Sequence, residues 1–184
     1  CGLRGCVRCQ AVVLGKLNIL VVGDSMTVDA YNVLHTVFPE VNPVLSEQSG
    51  CAPYSKMDAL LRPNFPDRSD CIELNRKRFA PEFLTQFDMI AVAAQFEWYK
   101  PEHLEDFLIH VRQVIPSAKL VVFGNYITLK ANCWELAAKY GIRACENPDA
   151  FDTKFNFDPE LAALSERHGA IYLSLRGIFC TFGS

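Results

Sequence analysis

Apolar residues alternate along this chain between short continuous runs and stretches with helical spacing. The first run, residues 17–22, is rich in β-branched side chains and ends at Gly23-Asp24-Ser25, a pattern typical of a strand buried on both faces. Similar runs predict further strands at residues 41–45, 89–94, 120–123 and 170–175. Helical spacing predicts helices at residues 27–38, 76–86, 101–115, 131–140 and 159–167.

Strands and helices that alternate in this way predict an α/β protein, a three-layer α/β/α sandwich around a mostly parallel five-stranded sheet. Ligands of such folds bind beyond the carboxyl ends of the strands, where Ser25 is expected to lie. The regular pattern begins near Lys16. Residues 1–15 are therefore expected to be a leader or linker, and residues 16–184 a single domain, because this length allows one substantial core.

The distribution of charged side chains limits the classes of partner that the chain is expected to bind. The chain carries 18 basic and 21 acidic side chains without a block of like charge, which argues against nucleic-acid or anionic-membrane binding. The densest basic stretch, Arg76-Lys77-Arg78, is predicted to be a solvated helix face. No apolar run approaches the roughly 20 residues of a membrane-spanning helix. We predict no nucleic-acid partner and no transmembrane segment within these residues.

Eight cysteines are many for a reducing compartment and indicate an oxidising, extracytoplasmic one. Cys51 and Cys71 bracket an irregular stretch and are close enough in sequence to be paired, closing a loop of about 20 residues. Cys133 and Cys145 form a second candidate pair, with helix packing as the alternative for Cys133.

A metal site is not predicted. Cys6 and Cys9 have the spacing of a zinc-ligand pair, but no second Cys or His pair follows at suitable spacing, and structural zinc normally needs four ligands.

Ser25 is the candidate nucleophile. A serine hydroxyl attacks poorly until a base takes its proton and donors stabilise the oxyanion that forms. Because Ser25 follows a buried strand and precedes a helix, its oxygen can project into a site where amides at the helix N-terminus point at developing negative charge. Gly23 is expected to permit the tight turn. The alternative is that Asp24, Ser25 or Thr27 merely caps the helix.

Three segments and the single Cys71 carry a family resemblance. The segment Asn18-Ile-Leu-Val-Val-Gly-Asp-Ser25 resembles the first block of the SGNH, or GDSL-type, esterase and acetyltransferase superfamily. Gly50-Cys51-Ala52-Pro53, Cys71 and the late Tyr172-Leu-Ser-Leu-Arg-Gly-Ile-Phe-Cys180 resemble SGNH domains fused to membrane-bound acyltransferases that O-acetylate cell-surface polysaccharides. The likeness spans about residues 16–180 and implies the flavodoxin-like SGNH hydrolase fold. It also implies an acylated carbohydrate substrate and a membrane-bound acyltransferase domain in the same natural polypeptide.

The resemblance assigns roles to individual residues. It makes Ser25 the nucleophile and its backbone amide one oxyanion donor, with Gly50 supplying a second amide. The third family donor is an asparagine after the central strand, where this chain instead offers Gln95 as a substitute, with Asn125 as a weaker candidate. Relatives tend to have histidine after the serine, so Met26 is interpreted as a change in the lining of the site.

The largest departure concerns the catalytic base. The family takes it from an Asp-x-x-His motif after the last strand, and no such motif occurs in these 184 residues. His35, His103 and His110 fall within helical patterns and are expected to be solvated or half-buried. His168 precedes the last strand and is expected at the opposite end of the sheet from Ser25. A chain truncated at the C-terminal side is favoured over a domain that has lost catalysis.

Two other classes of function compete. A catalytically degenerate carbohydrate-binding or scaffold domain is supported by the missing motif and by the aromatics Phe96, Trp98 and Tyr99, which could equally be core. A flavodoxin-like cofactor binder or phospho-acceptor domain is disfavoured. The first turn lacks a phosphate-cradling glycine or hydroxyl cluster, and the first strand does not end in an acidic pair. We predict no cofactor.

Overall fold

A computed structural model describes residues 12–53, 68–96, 101–125, 130–131, 133–141 and 157–175. The strands are β1 (Leu17–Gly23), β2 (Val41–Glu47), β3 (Met89–Ala93), β4 (Lys119–Phe123) and β5 (Ile171–Leu173). The helices are α1 (Thr27–Val37), α2 (Arg68–Arg78), α3 (Pro81–Leu84), α4 (Pro101–Val114), α5 (Cys133–Tyr140) and α6 (Asp158–Arg167).

The five strands form one parallel sheet in the order β2-β1-β3-β4-β5. This is the flavodoxin-like order, and it confirms the predicted α/β architecture and its five-stranded sheet. The strand order reverses between β1 and β3, which creates the crevice where such folds bind ligands. The register aligns Gly23 with Glu47 on one side and with Ala93 on the other. The loops after these residues therefore meet at the carboxyl edge of the sheet.

The core lies on both faces of the sheet because successive strand residues point to opposite sides. Leu20 and Val22 of β1 pack in a cluster with Leu104 of α4. Ile19 and Val21 join the opposite cluster, which is closed by Ala30 and Tyr31 of α1. The continuous apolar run of β1 is thus explained by burial on both faces, as predicted.

The predicted helix over residues 76–86 is wrong, because the chain breaks there into α2 and α3. Pro81 begins α3, and Ala80 before it has extended backbone angles, φ −62° and ψ 133°. A proline disfavours helical geometry in the residue that precedes it and donates no backbone hydrogen bond. Helix α2 instead begins at Arg68, inside the stretch that was expected to be irregular.

The expectation of a solvated basic face holds for two of its three residues. Arg76 and Lys77 are exposed, and Lys77 forms an ion pair with Glu73 at 2.6 Å. Arg78 is 1% exposed, so for this residue the prediction is wrong. It lies three residues beyond the buried Asn75, on the side of α2 that faces the protein.

Cys51 and Cys71 form the predicted disulfide, with their Cα atoms 5.5 Å apart. Cys133 begins α5 and Cys145 lies outside the described residues, so the second bridge stays a prediction. Within the described ranges, the structure contains no helix with the length and apolar character needed to cross a membrane.

Replacing both Cys51 and Cys71 by serine should lower the free energy of unfolding by about 3 kcal/mol, because the bridge restricts a loop of 20 residues in the unfolded chain. Denaturant unfolding with and without reductant measures the effect. Reductant should lower the stability of the wild type, and any response left in the double variant would report a further disulfide, for which Cys133–Cys145 is the predicted pair. A double variant as stable as the oxidised wild type would contradict this assignment.

Candidate functional site

Ser25 lies in the turn between β1 and α1, and its side chain is exposed. The turn is held by backbone hydrogen bonds in which Thr27 N–H donates to Asp24 O at 3.1 Å and Val28 N–H donates to Ser25 O at 3.4 Å. Helix α1 begins two residues later, so Ser25 stands at the N-terminal end of the helix. The partial positive charge there favours an anion that develops beside the hydroxyl.

Asp24 fixes this turn from within the protein. Its side chain is 2% exposed. Oδ1 accepts a hydrogen bond from Met26 N–H and Oδ2 accepts one from Gln95 N–H, each at 2.9 Å. One carboxylate thereby joins the loop after β1 to the loop after β3, across the point where the strand order reverses. The N-cap of α1 is Met26, without a side-chain capping bond, so Asp24 acts on the turn rather than as the N-cap residue.

Glycine at position 23 is favoured by close packing as well as by its backbone conformation, with φ +159°. It is the last residue of β1, and a Cβ added there would lie 1.7 Å from the backbone oxygen of Ala93 and 2.6 Å from Thr27 Cγ2. The constraint is the close approach of β3 and α1 to this backbone. That Gly23 permits the tight turn stays a prediction.

Gly50 lies in the loop after β2 with φ +71°, a left-handed conformation that glycine adopts without steric cost. The turn is closed by Cys51 N–H, which donates to Gln48 O at 2.9 Å. Because β2 pairs with β1, this loop and the Ser25 turn lie at the same edge of the sheet. The two segments predicted to supply oxyanion amides are therefore neighbours.

Gln95 and Asn125 follow β3 and β4 at that edge. The backbone amide of Gln95 is engaged by Asp24, so only its half-buried side chain could serve as an oxyanion donor. The backbone amide of Asn125 donates to Asp158 Oδ1 at 3.0 Å. Of the three aromatics considered for carbohydrate binding, Phe96 is core at 3% exposure, whereas Trp98 and Tyr99 lie outside the described residues.

Three histidines have contacts away from Ser25. His35 stacks on Tyr31, His110 Nε2 lies 3.0 Å from Phe79 O, and His168 Nε2 lies 3.0 Å from Glu105 Oε1. His168 precedes β5, at the sheet edge opposite Ser25, as predicted. The His168 hydrogen bond, followed by the charge of Arg167, lowers the pKa of Glu105.

His103 differs from the other histidines in its position. It is half-buried in the first turn of α4, which follows β3 and so begins at the carboxyl edge of the sheet. Along the described ranges of the chain, the structure shows no hydrogen bond between an imidazole and Ser25.

The predicted last helix begins at Pro159, and the hydrophobic spacing assigns no role to Asp158. Asp158 begins α6, and its Oδ2 accepts a hydrogen bond from Ser174 Oγ–H at 2.9 Å. Burial, followed by the negative charge of nearby Asp158, raises the pKa of the Tyr172 hydroxyl far above its usual value. An aspartate before proline at a helix start was the available signal.

The fold is similar to that of a periplasmic acetyltransferase domain. The solved structure of the Salmonella ser. Paratyphi A lipopolysaccharide acetyltransferase periplasmic domain superposes with a TM-score of 0.64 and 15% sequence identity. The match covers 93% of this chain and 70% of that chain. No protein-family model and no curated protein matches the sequence. At this identity the likeness concerns the fold.

At the carboxyl edge of the sheet, the structure combines an exposed hydroxyl with two neighbouring loops. An exposed hydroxyl stands at a helix N-terminus, in a turn fixed by a buried carboxylate, beside a second loop in left-handed conformation. In the parts of the chain that the structure describes, no group of three or more His, Cys, Asp or Glu side chains could hold a metal ion.

Proposed function

We propose that the chain is a serine-dependent esterase or O-acyltransferase domain that acts on O-acetyl groups of cell-surface carbohydrate through an acyl-Ser25 intermediate. The observation that carries this proposal is the exposed Ser25 hydroxyl at the N-terminal end of α1, at the β1/β3 switch point, in a turn that Asp24 ties to the β3 loop. The fold of a lipopolysaccharide acetyltransferase periplasmic domain supports carbohydrate as the substrate class.

In the proposed first step, Ser25 Oγ attacks the carbonyl carbon of the acetyl ester and its proton passes to a general base. The backbone amides of Ser25 and Gly50, with the Gln95 side chain as a third donor, stabilise the oxyanion. The tetrahedral intermediate then collapses, and the bond from the carbonyl carbon to the sugar oxygen breaks as that oxygen takes the proton.

In the second step, water or the hydroxyl of an acceptor sugar attacks the acyl-serine, releases the acetyl group and returns the proton to Ser25. Water makes the reaction an esterase reaction, and a sugar hydroxyl makes it a transfer. The family that the sequence resembles takes this base from an Asp-x-x-His motif, which the 184 residues do not contain.

We assign the domain to an extracytoplasmic compartment. The Cys51–Cys71 disulfide is the structural support, because such bridges persist in oxidising compartments. The neighbour of similar fold is a periplasmic domain, which agrees with this assignment.

Trapping the acyl-enzyme tests the proposal. The full-length natural polypeptide is mixed with a chromogenic acetyl ester, quenched in acid, digested and analysed by mass spectrometry. We expect one acetyl group on the peptide that contains Ser25, and none on that peptide in the Ser25→Ala variant. Acetyl groups confined to other residues would exclude Ser25 as the nucleophile. Binding of acetylated glycan without any trapped acetyl group would favour the degenerate carbohydrate-binding domain instead.

A further inference from the structure

Arg78 is a buried cation close to the proposed oxyanion site. It is the last residue of α2 and is among the largest fully buried side chains in the described part of the chain. Removing a guanidinium from water is costly unless its donors find acceptors in the protein. The positions of these acceptors therefore indicate the structural role of the Arg78 side chain.

The guanidinium binds backbone carbonyls at the ends of β1 and β2 and in the loop after β2. Nη1 donates to Gly23 O at 3.1 Å and to Ser46 O at 3.3 Å. Nη2 donates to Cys51 O at 3.1 Å and to Ala52 O at 2.8 Å. Gly23 lies two residues before Ser25, and Cys51 directly follows Gly50. One side chain thus connects the nucleophile turn to the second oxyanion loop.

Two other residues of α2 hold the same loop. Cys71 binds Cys51 through the disulfide, and Asn75 Nδ2 donates to Ala52 O at 3.0 Å. Asn75 Oδ1 also accepts a hydrogen bond from Arg78 Nε, which orients the plane of the guanidinium. Cys71, Asn75 and Arg78 recur at helical spacing, so they lie on one face of α2.

We infer that Arg78 is a positioning residue that sets the separation between the backbone amides of Ser25 and Gly50. This inference rests on the proposed function, since those amides are its two oxyanion donors. The planar fork of arginine reaches several carbonyls at fixed angles, whereas the single ammonium of lysine cannot span the same set. Arg78 acts through the backbone, because its own donors are directed at protein carbonyls.

Replacement of Arg78 by lysine in the full-length natural polypeptide tests the inference. Displacing a catalytic group by about 1 Å can cost on the order of 10²-fold in rate. We expect R78K to lower kcat for the acetyl ester roughly 10- to 100-fold with KM little changed, because the loss falls on the transition state. Assays are run well below the unfolding midpoint of each variant.

Arg112 provides the matched control. Its guanidinium also donates to backbone carbonyls, among them Ala118 O at 2.6 Å and Gly169 O at 2.7 Å. These carbonyls precede β4 and β5, so they lie at the sheet edge opposite Ser25. R112K should keep the kcat of the wild type, even where it lowers the thermal midpoint as much as R78K does.

Amide hydrogen exchange gives a readout that does not depend on activity. In the 184-residue chain, R78K should speed exchange in the peptides that contain Ser25 and Gly50, while peptides from β4 and α6 keep their wild-type rates. Normal kcat in R78K, or faster exchange spread over the whole chain, would overturn the inference. Should R78K fail to fold, N75A removes the acceptor of Arg78 Nε and is tested in the same way.

The two proposals fail separately. If Ser25→Ala keeps full activity, the proposed function is wrong, and the exchange measurement still decides whether Arg78 couples the two loops. If Ser25→Ala is inactive and R78K is normal in both kcat and exchange, the proposed function stands and the role of Arg78 is wrong.

Discussion

Ser25→Ala in the full-length natural polypeptide is expected to lower kcat for a chromogenic acetyl ester by at least about 10⁴-fold, as removal of a serine nucleophile does in other hydrolases. The loss follows from the chemistry, since alanine offers no oxygen for the acyl intermediate. The exposed side chain of Ser25 predicts that the free energy of unfolding stays near that of the wild type. Steady-state kinetics and denaturant unfolding measure the two effects separately.

Ser117→Ala is the matched control, because Ser117 is an exposed turn residue between α4 and β4, at the opposite edge of the sheet. Its kinetics should equal those of the wild type. Equal hydrolysis by wild type and Ser25→Ala would refute the nucleophile assignment. We expect the 184 residues alone to turn over little ester, since they contain no Asp-x-x-His motif. Robust turnover would show that a histidine within these residues acts as the base, and His103, at the start of α4, would be the first to test.

Gly23→Ala is expected to lower the free energy of unfolding by about 3 kcal/mol or more, a value at the upper end for an added methyl group. The new Cβ would lie 1.7 Å from the backbone oxygen of Ala93, which the β1–β3 pairing holds in place. Relief requires the two strands to move apart at the edge that carries Ser25. Denaturant unfolding gives the magnitude.

Gly141→Ala separates this close contact from the general cost of replacing glycine. A Cβ at Gly141 would meet nothing within 4 Å, and its φ of +75° leaves only a left-handed backbone penalty of about 1 kcal/mol. A Gly23→Ala protein no less stable than Gly141→Ala would show that the strands yield easily. The close approach of Ala93 would then not explain why position 23 is a glycine.

Much of the fold was predictable because hydrophobic spacing reports burial directly. The runs at residues 17–22 and 89–94 are apolar since their strands are covered on both faces, and both strands were found where predicted. Pro81 also indicated a helix break, although the spacing of apolar residues across it fits a single helix. The Cys51–Cys71 bridge followed from two cysteines that bracket one loop.

The candidate site was only partly predictable. The sequence indicated the positions of Ser25 and Gly50 through short motifs beside strands. It did not indicate that Asp24 would bind the amide of Gln95, a residue far along the chain, because such contacts depend on strand order. Arg78 was misjudged for the same reason, since a charge in a basic run normally faces water.

The sequence by itself determined where the strands lie, which turn holds Ser25 and which cysteines could pair, because each depends on neighbours along the chain. Only the tertiary structure decided that β1 lies between β2 and β3, and that Gly23 must lack a side chain beside Ala93. It alone showed that Arg78 binds both the last carbonyl of β1 and a carbonyl of the loop after β2. These features depend on distances between segments that are remote in sequence. The spacing of apolar residues along the chain does not predict such distances.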